Sequence, residues 1–148
     1  MKKRILFITM MIVLATGTVF ANSVEGVNEK VLSSFQKEYS GAKEVKWQKG
    51  DQYLKATFFL NERVYFAYYS EDGEKLALVR NLTSFELPMS LQKALKESYP
   101  QCWISDLFEI NGKEDAAYYV TIENADAKIS LKSVGMSGWM VYKKTDKK

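Results

Sequence analysis

The chain of 148 residues contains no histidine. That removes the commonest general base near neutral pH, the usual nucleophile–base triads and the commonest zinc ligand. Few residues remain that could do chemistry. Ser137 lies in Gly135-Met136-Ser137-Gly138, but with no base to activate its hydroxyl the glycines read as a turn. Glu71-Asp72-Gly73-Glu74 carries oxygen ligands without the alternating spacing of a calcium loop, and reads as a solvated hairpin tip. Glu109, Glu114 and Asp115 flank a second loop, and nothing in their spacing selects an acid–base pair for glycoside hydrolysis. The single cysteine, Cys102, cannot close an intramolecular disulfide and reads as a small apolar residue beside Trp103. There is no Gly-x-Ser-x-Gly elbow, P-loop or dinucleotide fingerprint. The expectation is a non-enzymatic protein with no catalytic residue, no metal site and no cofactor.

One stretch does rise above background. Residues 53–69 read YLKATFFLNERVYFAYY, two strand-like runs around the polar break Asn61-Glu62-Arg63. Leu54, Ala56, Phe58 and Leu60 alternate on one face, and Val64, Phe66 and Tyr68 are assigned to that face on the return. Period two in runs rich in aromatic and β-branched residues is the mark of a half-buried antiparallel hairpin. The other face then carries Tyr53, Lys55, Thr57, Phe59, Arg63, Tyr65 and Tyr69. Tyrosine and arginine dominate binding hot spots, so Tyr53, Lys55, Phe59, Arg63, Tyr65 and Tyr69 are the candidate binding residues. Lys55 and Arg63 suit an acidic partner. The competing reading is that these rings pack across strands as ordinary sheet stabilisers.

The elements around this hairpin follow from periodicity. Val27, Val31, Leu32, Phe35 and Tyr39 have helical spacing, with Asn28 as cap and Gly41 as stop. Val45 and Trp47 alternate in a first strand. Ser70-Glu71-Asp72-Gly73 turns, and Leu76 to Val79 make a fourth strand. After the linker Asn81 to Glu86 and Leu87-Pro88, the pattern restarts. Leu91, Ala94, Leu95 and Tyr99 make a helix stopped by Pro100. Strands follow at Trp103–Ile110, around Tyr118 to Ile122, at Ile129 to Leu131 and at Trp139 to Tyr142. The halves match at an offset of sixty (Val31 with Leu91, Phe35 with Leu95, Tyr39 with Tyr99), which grows to sixty-five at Gly73 and Gly138. The expectation is an α+β fold. It is a tandem repeat of helix plus four-stranded antiparallel β-meander, with repeats at about 27–82 and 87–143 and helices packed on one face of the sheet.

The first residues explain the apparent basic charge. Lys2, Lys3 and Arg4 precede an apolar run from Ile5 to Leu14, and Val19-Phe20-Ala21 offers small residues for cleavage, so residues 1–21 read as a secretory signal peptide and 22–148 as the working domain. No cysteine near the cleavage point supports a lipid anchor, and no stable membrane anchor is expected afterwards. The leader holds three of the 21 basic residues and none of the 18 acidic ones, so the remainder balances at 18 each. The basic surplus is therefore an export feature and not a nucleic-acid footprint.

The ordered set Val45-Lys46-Trp47, alternating hairpin, Asp72-Gly73, Leu87-Pro88, Ala94-Leu95-Lys96 and Tyr99-Pro100 resembles the PepSY-like, β-lactamase-inhibitor-protein-like (BLIP-like) family of small exported bacterial proteins, over about Val27 to Tyr142. The departure is Ser133 to Gly138, where the first half has a plain Asp-Gly turn. The resemblance implies helix-plus-meander repeats, a periplasmic or secreted location and no known catalysis. Together with the aromatic face it suggests a binding module for an unidentified envelope or extracellular protein. The alternative is a small-molecule or envelope-polymer binder. Fold likeness carries no inhibitory activity with it.

Overall fold

A computed structural model describes residues 26–113, 116–136 and 138–147. The signal-peptide assignment and the side chains of Glu114, Asp115 and Ser137 fall outside the described residues. Helix α1 spans Glu29–Glu38 and is followed by β1 (Lys43–Lys49), β2 (Leu54–Leu60), β3 (Arg63–Tyr69) and β4 (Lys75–Asn81). A single 3₁₀ turn at Ser84–Glu86 leads into α2 (Met89–Ser98). Then come β5 (Trp103–Asn111), β6 (Ala117–Glu123), β7 (Ala127–Val134) and β8 (Met140–Asp146). Among the described residues no helix is long and apolar enough to cross a membrane.

The eight strands form one antiparallel sheet in chain order. This corrects the expected tandem repeat of helix plus four-stranded meander. The first four strands are not a closed unit, because β4 pairs with β5, Leu78 opposite Asn111 and Asn81 opposite Phe108. Two separate four-stranded units would each expose an extra edge of unpaired N–H and C=O groups. Joining β4 to β5 satisfies those groups and leaves only β1 and β8 as edges.

The local chemistry sets both helices. Asn28 caps α1 by accepting from the Val31 N–H at 3.1 Å, and its side-chain amide donates to the Glu71 carbonyl at 2.5 Å. That contact ties the helix start to the β3–β4 turn. Gly73 in that turn has φ +86°, and an added Cβ would lie 3.0 Å from the Lys30 backbone, so glycine is needed on both counts. Helix α1 buries Val31 and Phe35. Phe35 meets Phe58 edge-on at 5.0 Å and Trp47 at 5.3 Å, over a core of Leu54, Ala56, Phe58, Ala67 and Tyr69. Helix α2 buries Leu91 and Leu95, and Leu95 joins Leu82, Leu87, Leu107, Val120, Ile122 and Leu131 in a second cluster. The Trp139 indole donates to the Leu91 carbonyl at 2.9 Å and ties α2 to the end of the sheet.

Both clusters lie on the same side of the sheet, as register shows. The rung Phe58–Tyr65–Arg80–Glu109–Tyr118–Ser133 crosses β2 to β7 on the helix face. Its middle is polar. Arg80 holds the buried Glu109 at 2.5 Å and reaches Glu86 at 3.9 Å, and Arg63 also pairs with Glu86. The seam between the two apolar clusters is thus an ion-pair network placed where the sheet passes from β4 to β5.

Candidate functional site: the open face of the sheet

The turn joining β2 and β3 decides which side chains share a face. Asn61 and Glu62 have φ of 49° and 63°, the two positive-φ residues of a two-residue hairpin turn, and Leu60 lies opposite Arg63. Counting Arg63 as part of the turn shifts the return strand by one residue, and a one-residue shift moves every side chain to the other face. The expected binding set is therefore divided. Lys55 and Phe59 are on the open face, and Tyr53, just before β2, packs its ring 5.4 Å from Tyr68. Arg63, Tyr65 and Tyr69 are on the helix face, opposite Leu60, Phe58 and Leu54. Tyr69 is fully buried, and its hydroxyl has no hydrogen-bond partner among the described residues. Burial, followed by the nearby Glu38 carboxylate, pushes that phenol well above its ordinary range. Arg63 is committed to Glu86.

In place of those three, Val64, Phe66 and Tyr68 face outwards. They continue across the register through Ala77, Val79 and Asn81 on β4 to Phe108 and Ile110 on β5. Lys55, Phe66, Tyr68, Ala77, Val79, Asn81, Asp106, Phe108 and Ile110 line a trough of about 420 Å³. The apolar row runs on past it. Phe108 stacks on Tyr119 of β6, centroids 5.3 Å apart and planes within 8°, and Tyr119 meets Tyr142 of β8 edge-on at 5.7 Å. Burial and then the neighbouring Tyr53 raise the Tyr68 phenol, so it stays a neutral hydrogen-bonding group at physiological pH.

The electrostatics of the two faces differ. On the helix side Arg63, Lys75 and Arg80 are all paired with carboxylates. On the open face the Lys55 ammonium lies over the Phe66 ring, 4.8 Å from its centroid, and Lys132 lies over Tyr119 at 5.5 Å. Neither has a carboxylate partner among the described residues. The sole carboxylate in the trough lining is Asp106, which is exposed. Glu123, at the open-face end of β6, is held down to about 2 by Lys147, Ser105 and Lys128. No group of acidic or cysteine side chains among the described residues is arranged to hold a metal ion.

Sequence reasoning missed Phe66, Tyr68, Val79, Phe108 and Tyr119 as face residues. Phe66 and Tyr68 were legible in the hairpin once its turn was counted as two residues. Phe108 and Tyr119 need the β4–β5 and β5–β6 registers, which alternation alone does not supply.

No family model matches the chain, and no curated protein matches it. Solved structures do. A DUF2874 family protein from Bacteroides ovatus superposes with a TM-score of 0.71 at 20% identity, covering 80% of this chain and 86% of that one. A protein of Bacteroides eggerthii, provisionally described as periplasmic, gives 0.72 at 15%, covering 81% and 88%. A BLIP-like protein from Bacteroides fragilis gives 0.70 at 20%, covering 80% and 85%. Likeness at these identities is likeness of fold, and the chain shares its fold with DUF2874 and BLIP-like proteins of Bacteroides.

Proposed function

We propose that this chain is an exported, non-enzymatic binding module of the PepSY-like kind, which docks another protein through the open face of its sheet. The observation that carries the reading is the apolar trough from Phe66 to Ile110, left uncovered on one side of a sheet whose two helices both pack on the other side. Exposed apolar ground of this sort marks an interaction site. The basic, apolar and small-residue order of residues 2–21 supports export, as does the provisional periplasmic description of the B. eggerthii neighbour.

The trough has the volume of a small-molecule pocket, but its rim residues Asn81 and Asp106 are exposed and it opens along the sheet. A small ligand there would keep much of its surface in water. A polysaccharide would need free ring faces to stack on. Phe108 and Tyr119 stack on each other, and Lys55 and Lys132 cover Phe66 and Tyr119. A protein surface, which packs against ring edges and aliphatic side chains alike, suits this ground better than a sugar does.

The experiment is photo-crosslinking in envelope extract, comparing the parent with Val79→Glu and Phe108→Ala, each first shown to be folded by circular dichroism. One partner crosslinked to the parent and lost from both variants supports the reading. The same partner crosslinked equally by all three would sink it.

A further inference from the structure

Resting on the reading that the open face binds protein, we infer that the partner presents an extended segment with an apolar centre and acidic ends. Three observations carry this. The first is a pairing asymmetry: the helix-face cations Arg63, Lys75 and Arg80 each hold a carboxylate, and Lys128 holds Glu123 at the far end of the open face, while Lys55 and Lys132 hold only aromatic rings among the described residues. An ammonium over a ring face is fixed in place yet keeps donors free, so each lysine is oriented for a carboxylate that none of the described residues provides.

The second is spacing. Lys55 is on β2 and Lys132 on β7, five strand intervals apart, and the register places Lys132 in the row of Phe59, four residues along the strand from Lys55. With ~4.8 Å per interval and ~3.3 Å per residue the diagonal is roughly 27 Å, which an extended segment of about eight residues spans. Its course runs across the trough, so the side chains between the two lysines meet Phe66, Val79, Phe108 and Ile110. The third is the ground between them. Phe66, Val79, Ile110 and Phe108 are apolar, and Asp106, an exposed carboxylate of the trough lining, lies beyond the Lys132 row and off this line. The acidic groups therefore belong at the ends, over Lys55 and Lys132, and the centre is apolar.

The test uses short fluorescent peptides and anisotropy with the mature protein. One peptide has a leucine–phenylalanine centre with glutamates at both ends. A second has lysines in place of the glutamates, and a third keeps the glutamates around an alanine centre. Lys55→Ala/Lys132→Ala, Val79→Glu and the helix-side control Lys37→Ala/Lys96→Ala are run beside the parent. The expected result is binding of the first peptide alone. It weakens about tenfold or more in the Lys55/Lys132 variant, the scale of one lost charge-assisted contact. Binding is lost in Val79→Glu, unchanged in the control and weaker at higher salt.

Equal binding of the lysine-ended peptide, or no loss in the Lys55/Lys132 variant, overturns the charge assignment. If Val79→Glu still abolishes binding in that case, the open face stands as the site and only its partner chemistry is wrong. Equal binding of the alanine-centred peptide, or equal loss in the control, reduces the effect to surface charge and overturns the inference. Binding of none of the three also overturns it, and the docking face is then judged by the crosslinking alone.

Discussion

Tyr68 and Tyr69 are neighbours in the chain and opposites in the fold. Tyr69 points into the α1 cluster, fully buried, with its ring 6.4 Å from Phe35. Tyr68 points the other way and lines the open trough beside Tyr53. The same division runs across the whole sheet. Aromatic and cationic residues occur on both faces, but on the helix face they are consumed by packing and ion pairs, while around the open trough the rings are half-buried and Lys55 and Lys132 have no carboxylate partner among the described residues. Composition therefore does not locate the functional ground here. The proposed binding face rests instead on which side chains remain without partners among the described residues once the fold has taken its own.

The sharpest way to break this comparison is a matched pair of truncations. Phe58 is fully buried under Phe35 and Tyr39, and Phe66 is half-buried on the open face. Phe58→Ala is expected to cost about 3–5 kcal/mol in urea unfolding, by lost transfer energy and the cavity left behind. Phe66→Ala is expected to cost less than about 1 kcal/mol, the scale of a cross-strand contact, while abolishing partner capture. Similar costs for the two would mean that both faces are structural.

The second pair concerns cations. Glu109 is buried and held by Arg80, which is itself about one-third exposed. Arg80→Ala leaves that carboxylate with Tyr118 as a hydrogen-bond partner but without its cation, and is expected to lower stability by about 2–3 kcal/mol, below the cost of breaking a fully buried pair because water reaches the site. Lys55→Ala removes only a contact with the Phe66 ring and is expected to cost about 0.5 kcal/mol. Thermal unfolding of both variants decides it. A loss at Lys55 rivalling that at Arg80 would show that Lys55 is part of the fold's own framework.

Much of the fold was legible because it depends on local pattern. Asn28 and the Val31–Phe35 spacing foretold α1, and Leu54 to Leu60 foretold the buried face of β2. What failed was non-local or hung on one residue. Nothing in residues 75–111 announces that β4 will pair with β5, since the pairing satisfies backbone groups and leaves no mark in side-chain alternation. The candidate site failed on Arg63. Treated as a turn residue, it reversed the return strand and put Tyr65 and Tyr69 on the wrong side. Asn61-Glu62 as a two-residue turn was hard to foresee because glutamate seldom adopts positive φ. Lys55 and Phe59 kept their face because β2 precedes the turn and takes its phase from Leu54.

A smaller effect tests the tyrosine pair directly. The Tyr69 hydroxyl is buried without a partner among the described residues, so it carries a desolvation cost that no hydrogen bond offsets. Tyr69→Phe is expected to raise stability by up to about 1 kcal/mol in chemical denaturation. Tyr68→Phe, at the trough, is expected to stay within about 0.5 kcal/mol of the parent. Destabilisation by Tyr69→Phe would reveal a hydrogen bond at that hydroxyl and weaken the contrast between the neighbours.

The smallest effect separates charge from packing on the helix side. The Glu86 carboxyl is lowered to about 2, first by the Thr83 N–H that it caps and then by Arg63. A depressed carboxyl stabilises the fold above its ordinary value of 4.5 and loses that contribution as pH falls toward 2. Glu86→Gln keeps an oxygen to accept from Thr83 but loses the charge. The expected cost at neutral pH is therefore only about 0.5–1 kcal/mol, discounted for the solvent that screens an exposed pair. The gap between parent and variant should close between pH 4.5 and 2. Glu123, also held down to about 2, keeps an acid-sensitive limb in both proteins, so the observable is the difference between their unfolding midpoints and not the presence of acid sensitivity. Lys55 and Lys132 have no carboxylate partner among the described residues, so Lys55→Ala/Lys132→Ala should leave that difference unchanged. If removing those lysines narrows it, the two faces are electrostatically coupled through the sheet, and the separation between a face that holds the fold and a face that is free to bind no longer holds.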